Sequence, residues 1–245
     1  MADRCLLYYI TDRSQFRGDE RARRRALLAK VAEAARARVD YIQLREKDLS
    51  TRELETLARE VVVAVRENSP STRLLINSRM DVALATGADG VHLRADDVAP
   101  HEVRQVLQFP QGLRPALLLA GSGTAESRAL PKNTGAIAHR PLTTDHFLVA
   151  ASCHTAADVF HAESEKADFA VFAPVFEKKD APGIQPAGIA GLREACRAKI
   201  PVLALGGVTI ENAASCLKAG AAGVAGIRLF QENKIEDVVR ALRAL

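Results

Sequence analysis

A helix-like segment ends and a buried strand begins within TGADGVHL, residues 86–93. The glycine at position 87 suits the left-handed turn that closes a helix, and the apolar residues after it suit a strand. Near the end of the chain, residues 219–227 repeat this order as AGAAGVAGI. A recurring passage from helix to strand is typical of βα units around a parallel sheet.

Eight strand-like segments can be placed outward from these two phrases, at residues 5–10, 40–44, 73–76, 90–93, 147–151, 169–172, 202–205 and 223–227. Helical patterns separate them at residues 20–36, 51–66, 156–165, 189–199, 210–219 and 235–242. Ser50 with Glu53 resembles a capping box, and Thr209 stands at the N-cap of a later helix. A single (β/α)₈ barrel usually has about 250 residues, so we predict one α/β TIM-barrel domain over residues 1–245.

One stretch departs from the repeat. Residues 110–146 carry clusters of Gly, Pro, Ser, Thr and Asn around an apolar run at 116–120, which is far longer than a connection from helix to strand requires. We interpret this stretch as an insertion between the fourth helix and the fifth strand. In a barrel it would emerge on the face opposite the active site, and we assign it no function.

Composition narrows the class of protein. The apolar share is 48%, aromatic residues make up 4% and Trp is absent, which favours short aliphatic strands under Ala-rich helices. The net charge of +4 is small beside 34 basic and 30 acidic residues, so we expect a small anionic ligand and no nucleic-acid partner. The arginine-rich run at residues 21–25 is interpreted as a solvated helix face.

The cysteines and the hydropathy pattern give further exclusions. The four cysteines lie far apart, with no His at metal-ligand spacing, so neither disulfides nor structural zinc is expected. The chain shows no apolar leader and no run long enough to cross a bilayer. We therefore expect a cytoplasmic protein with no membrane partner, and the sequence allows a homo-oligomer.

Polar residues follow one predicted strand after another, and in a parallel barrel such residues converge on one mouth. The second strand leads into Gln43, Arg45 and Lys47, which strand alternation would point in one direction if the strand continued that far. Arg and Lys offer a planar fork and a point charge to a phosphate. The alternative is a surface cluster of ion pairs.

Asn77 and Ser78 follow the third strand, and Asp96 and Asp97 follow the fourth. Adjacent carboxylates beside a bound phosphate are a candidate Mg²⁺ site, because that ion needs only one or two carboxylates and keeps several waters. The same pair could equally begin a helix.

The fifth strand is followed by Ser152 and His154. Histidine at this position could carry a proton, or it could orient the first turn of the next helix.

Gly206 and Gly207 follow the seventh strand, and Ile227 and Arg228 end the eighth. Loops after these strands commonly hold phosphate in barrels, because small residues let backbone N–H groups approach an anion. Tight turns without a ligand are the competing interpretation.

Seven phrases in these positions resemble the thiamine phosphate synthase/TenI family over essentially the whole chain apart from the insertion. They are YITD at 9–12, IQLREKD at 42–48, LIN at 75–77, GADGVHL at 87–93, SCHT at 152–155, PVF at 174–176 and LGGVT at 205–209. The family's synthase condenses a hydroxymethylpyrimidine diphosphate with a thiazole phosphate and releases diphosphate with Mg²⁺. Its TenI branch isomerises a thiazole phosphate carboxylate to the aromatic tautomer.

The resemblance implies roles for individual residues. The pyrimidine diphosphate would lie along Gln43, Arg45, Lys47 and Asn77. Asp97, beside Asp96, would hold Mg²⁺, and Ser152 would touch the departing group. The thiazole phosphate would be cradled by Gly206, Gly207, Ile227 and Arg228.

The chain also departs from the synthase pattern. Ser78 stands where the synthase has a second carboxylate for Mg²⁺, and Arg94 stands where it has Gly. In place of a Thr-x-Thr-Lys loop that grips diphosphate, the chain has Lys178 and Lys179, whose flexible ammonium groups do not reproduce fixed hydroxyl geometry. These losses favour TenI-like chemistry, with His154 as proton carrier and Mg²⁺ needed only if diphosphate chemistry is retained.

Other hypotheses remain open at this stage. The chain could be a synthase with a rewritten diphosphate clamp, or an inactive paralogue that binds thiamine intermediates. A phosphate-binding barrel of other metabolism, such as an epimerase, is a more distant alternative.

Overall fold

Eight parallel strands close into one barrel in chain order, as the sequence predicts. The structure is a computed structural model and describes residues 4–108, 147–177 and 185–245. The strands are β1 Leu6–Ile10, β2 Tyr41–Leu44, β3 Arg73–Asn77, β4 Gly90–Leu93, β5 Leu148–Cys153, β6 Phe169–Phe172, β7 Val202–Ala204 and β8 Gly223–Gly226. The pairing of β8 with β1 closes the barrel, with Leu6 opposite Gly223.

Helices alternate with the strands in the described part of the chain. They are α1 Glu20–Arg36, α2 Thr51–Asn68, α3 Met80–Thr86, α4 Pro100–Gln108, α5 Ala156–Ser164, α6 Gly188–Ala195, α7 Ile210–Lys218, α8 Arg228–Gln231 and α9 Ile235–Arg243. A single 3₁₀ turn, Arg13–Gln15, follows β1. The fold class is therefore an α/β TIM barrel.

Local signals in the sequence explain where helices begin and end. The Ser50 hydroxyl accepts from the Glu53 amide, and the Glu53 carboxylate accepts from the Ser50 amide at 2.9 Å, which completes the predicted capping box. Thr209 caps α7 in the same reciprocal way with Asn212. Gly87 ends α3 with φ of 71°, in the left-handed region that favours glycine.

Alternation along the strands sorts side chains between two cores. Every second residue points into the barrel, where a cluster includes Tyr8, Leu75, Ala150 and Ala225. The intervening residues, such as Ile42 and Val91, pack outward under the helices. Asn77, Ser152 and Ile227 each lie two residues after an inward apolar residue, namely Leu75, Ala150 and Ala225. The alternation of the strand therefore brings these side chains to the mouth.

Some of the predicted features lie outside the residues that the structure describes. The predicted insertion at 110–146 lies outside the described residues, and so do Lys178 and Lys179. Within the described ranges, none of the helices combines the length and the apolar character that crossing a membrane requires.

Candidate active site

A hydrogen-bonded chain of four side chains crosses the upper part of the barrel. The Gln43 amide donates to the Tyr8 hydroxyl at 3.3 Å, and that hydroxyl lies 3.1 Å from Nδ1 of His92. On the other side of the ring, Nε2 of His92 lies 2.8 Å from the Ser152 hydroxyl. Gln43 and Ser152, predicted site residues from different strands, are thus linked through residues of β1 and β4.

His92 is buried, and burial is the main reason that its pKa falls to about 3, with the nearby charge of Arg45 lowering it further. The ring is therefore neutral at ordinary pH and can donate at one nitrogen while it accepts at the other. Analysis of the sequence missed it as a site residue. The signal was available, because His92 stands two residues after Gly90 on the inward-facing register of β4.

Arg45 and Lys47 lie at the mouth in a loop. Because β2 ends at Leu44, strand alternation does not continue through these residues, and the predicted common direction needs correction. Gln43 is buried in the barrel, Arg45 is half-buried and Lys47 is exposed. The charge of Arg45 is the main cause of a lowered pKa at Lys47, and burial and the charge of Arg94 act in the same direction. Lys47 therefore lies within electrostatic reach of two arginines.

A buried ion pair holds this loop. The Glu46 carboxylate accepts from the Thr11 hydroxyl at 2.6 Å, the Arg13 amide at 3.0 Å and the Arg13 guanidinium at 3.1 Å. The same guanidinium binds both oxygens of Asp48, at 2.6 and 2.9 Å. Arg13 and Glu46, which sequence analysis did not single out, thus tie the loop after β1 to the loop that carries Arg45 and Lys47.

The two aspartates predicted to bind metal are both paired with Arg94. The Arg94 amide donates to Oδ2 of Asp97 at 2.7 Å, and its guanidinium lies 3.2 Å from Oδ1. Asp96 lies 3.3 Å from the same guanidinium. Asp97 thus closes a turn and does not begin α4, which starts at Pro100.

No group of three or more His, Cys, Asp or Glu side chains that could hold a metal ion exists among the described residues. Ser78 supplies a hydroxyl where a second carboxylate would be needed, and this hydroxyl accepts from the Asn77 amide at 3.1 Å. A guanidinium within the carboxylate pair also repels a cation. As they are arranged, these residues do not fit Mg²⁺.

His154 is exposed on the rim just after β5. Its Nδ1 lies 2.8 Å from the carbonyl oxygen of Ala173, which can only accept a hydrogen bond. The proton of the neutral ring is therefore on Nδ1, and Nε2 is left as a base. Its backbone amide donates to Asp158, whose carboxylate also completes a capping box with Thr155. Thr155, not the imidazole, orients the first turn of α5.

Gly206 and Gly207 both have positive φ, of 92° and 66°. A Cβ at Gly207 would lie 2.6 Å from the carbonyl oxygen of Glu177, so packing of the loop after β6 is enough to require glycine there. This contact supports the tight-turn interpretation. The backbone amides of Gly206 and Gly207 nevertheless lie at the mouth of the barrel.

Ile227 precedes α8, a helix of four residues whose N-cap provides no side-chain hydrogen bond. Arg228 is its first residue. A short extra helix after the eighth strand is a recurrent part of phosphate sites in barrels. Sequence analysis placed Ile227 and Arg228 in this region and missed the helix itself.

Of the predicted residues from Gln43 to Arg228, those that the structure describes therefore lie at the carboxyl-end rim of the barrel, and their roles stay predictions. A closed parallel barrel with three cations, a neutral histidine and glycine-rich loops at its mouth belongs to the class of barrel enzymes that act on small phosphorylated compounds.

Comparison with known proteins narrows this class. The family model described as Thiamine monophosphate synthase matches residues 7–111 and 131–230. A protein of Geobacter sulfurreducens named Putative thiamine-phosphate synthase is 37% identical, over 98% of this chain and 93% of its own. Thiamine-phosphate synthase of Methanoculleus marisnigri is 34% identical, with 97% and 93% coverage.

A solved structure of thiamine phosphate pyrophosphorylase from Pyrococcus furiosus has a TM-score of 0.70 and 25% identity, and covers 99% of this chain and 95% of its own. The chain belongs to the thiamine phosphate synthase/TenI family and is an enzyme of thiamine biosynthesis. The names of these relatives favour the synthase over the TenI-like activity that the departures in the sequence favour.

Proposed function

We propose that this protein is a thiamine phosphate synthase, which joins a hydroxymethylpyrimidine diphosphate to a thiazole phosphate. The observation that carries the proposal is similarity over 97–98% of the chain to proteins named for this activity. In the reaction a new carbon–nitrogen bond forms at the pyrimidine methylene group. The carbon–oxygen bond to diphosphate breaks, and diphosphate leaves with the bonding electron pair.

The arrangement of the mouth supports this chemistry. Arg45 and Lys47 supply positive charge beside the leaving diphosphate, and fixed charges that meet developing negative charge are the strongest contributors to such reactions. Gln43 and Asn77 donate to the pyrimidine, and Ser152 reaches the departing group. The thiazole phosphate is held by backbone amides at Gly206, Gly207 and Ile227 and by Arg228.

Purified protein given both substrates tests the proposal. We expect thiamine phosphate and diphosphate in equal amounts, and Arg45→Ala should lower kcat/KM by about a hundredfold through lost stabilisation of the diphosphate. Arg59→Ala is the matched control, because Arg59 pairs with Glu55 on the exposed face of α2. Absence of thiamine phosphate, with conversion of a thiazole phosphate carboxylate to its aromatic tautomer, would overturn the proposal.

The second candidate is that TenI-like tautomerisation. It is favoured by one observation, the hydrogen bond between Nδ1 of His154 and the Ala173 carbonyl oxygen, which leaves Nε2 outside that bond at the rim. Tautomerisation moves a proton, so His154→Ala should abolish it. The same substitution should leave condensation within a few-fold of the unaltered protein, since diphosphate departs without needing this base.

A further inference from the structure

Arg94 pairs with two neighbouring carboxylates, those of Asp96 and Asp97. Its guanidinium and amide groups reach both oxygens of Asp97, at 2.7 to 3.3 Å, and the guanidinium also pairs with Asp96. Asp97 is largely buried, with 13% of its side chain exposed. The negative charge of Asp97 is therefore balanced by the Arg94 side chain of the same protein.

Ser78, a residue without charge, lies beside the strand that leads to Arg94. Its φ of 57° and the hydrogen bond from its amide to the His92 carbonyl at 2.9 Å hold it next to β4. A hydroxyl there carries no negative charge, so the pocket loses one anionic ligand and gains one guanidinium relative to a magnesium site. Both features reduce the negative charge at this part of the mouth.

Arg45 and Lys47 extend this positive region. The Arg45 amide donates to the Thr11 hydroxyl at 3.0 Å, but neither charged group pairs with a carboxylate of the described residues, whereas Arg94 already pairs with two. The charges of Arg45 and Arg94 both lower the pKa of Lys47 and that of Asp12 raises it, so Lys47 lies within electrostatic reach of both arginines and of one carboxylate. An oxyanion bound among them would relieve this repulsion.

We propose that Arg94 replaces the divalent cation of this site, and that Arg45, Lys47 and Arg94 together bind a diphosphate group directly, without a metal ion. The inference rests on the proposed function for the identity of the leaving group. Arg94 bridges the bound diphosphate to Asp97, as a metal would, and the fork of its guanidinium matches phosphate oxygens.

Calorimetric titration with inorganic diphosphate tests this without any turnover. In EDTA the unaltered protein should bind diphosphate. In a parallel titration with Mg²⁺, the affinity for diphosphate should change by less than about twofold once the binding of Mg²⁺ to free diphosphate has been corrected for. Arg94→Gln should weaken binding in EDTA by about tenfold or more, as expected for the loss of one charge-assisted contact. Arg59→Gln, on an exposed helix face, should leave the affinity unchanged.

A second experiment asks whether diphosphate binding can be made dependent on a metal ion. The double variant Ser78→Asp/Arg94→Gly should bind Mn²⁺ and should bind diphosphate only when a divalent ion is present. Circular dichroism melting of each variant checks that it is folded. Diphosphate binding by the unaltered protein that requires Mg²⁺, or that survives Arg94→Gln in EDTA, would overturn the inference. Binding without turnover would instead leave it standing and refute the proposed synthase.

Discussion

His92 shows how a single residue couples the interior of the barrel to its mouth. The ring lies between the Tyr8 hydroxyl and the Ser152 hydroxyl, and a neutral imidazole that donates once and accepts once can make both contacts. A charged ring would donate from both nitrogens, and the cost would be that of burying its charge without a carboxylate partner. The depressed pKa and the hydrogen-bonding pattern therefore describe the same constraint.

Acid should destabilise the fold through this residue. The pKa of His92 is about 3 in the folded protein against an ordinary 6.5, so below about pH 6.5 the unfolded chain binds a proton that the folded chain does not. The free energy of unfolding should fall by about 2 kcal/mol from this residue between about pH 7 and pH 5. Urea unfolding at the two pH values measures the loss.

His92→Gln should remove that share of the pH dependence. His161→Gln is the matched control, since His161 is exposed on α5. Equal pH dependence in His92→Gln and His161→Gln would contradict the assignment of the effect to His92.

The site residues that could be predicted from the sequence share one property. Gln43, Asn77 and Ser152 stand at or just before the carboxyl ends of strands on the inward register, and both facts can be read from periodicity. Arg13 and Glu46 could not be found in this way, since their meaning comes from a contact between loops 33 residues apart. The pairing of Arg94 with Asp97 likewise depends on side-chain geometry that no spacing rule contains.

At the scale of elements, the predicted helices agree with the observed ones to within a few residues because their caps are local. The sequence analysis did not place α3, α4 or α8. α3 has seven residues and α8 only four, which is too short for a helical period to be recognised. Length does not explain α4, because α5, α7 and α9 also have nine residues and were predicted. β8 ends at Gly226, one residue before the predicted end, since Ile227 becomes the N-cap of α8.

The conformation of the loops after β1 and β2 should depend on the ion pair between Arg13 and Glu46. Replacing Arg13 by Met would leave the buried Glu46 carboxylate without its guanidinium partner, and the loss of one partner of a buried pair costs about 3–5 kcal/mol. Arg24→Met, which breaks the more exposed pair with Glu60, should cost less than about 1 kcal/mol. Urea denaturation compares the two.

A cost for Arg13→Met no greater than that of Arg24→Met would show that the pair does not stabilise the fold. If the larger cost is found, kcat/KM should fall too, because the loop that carries Arg45 and Lys47 would lose its anchor.

At the scale of the whole molecule, the two related phrases in the sequence mark equivalent corners of the barrel. Gly90 begins β4 opposite Leu148 of β5, and Gly223 begins β8 opposite Leu6 of β1. Four strands separate these corners in either direction around the closed sheet. The repeat therefore records a structural requirement that occurs twice, at the join between the fourth and fifth strands and at the join that closes the barrel.

Closure of the barrel should fail most readily at the second corner. A Cβ at Gly223 would lie 2.0 Å from the carbonyl oxygen of Leu6 and 2.6 Å from its carbonyl carbon. These backbone atoms cannot move away without breaking the pairing of β8 with β1. Gly223→Ala should thus lower the free energy of unfolding by more than about 3 kcal/mol, beyond the usual cost of overpacking. Gly188→Ala separates this steric cost from backbone strain, because Gly188 has φ of 69° with open space around its Cβ position. That control should lose only about 1–2 kcal/mol, and equal losses for the two variants in urea unfolding would mean that close approach of the strands is not what requires glycine at the closing corner.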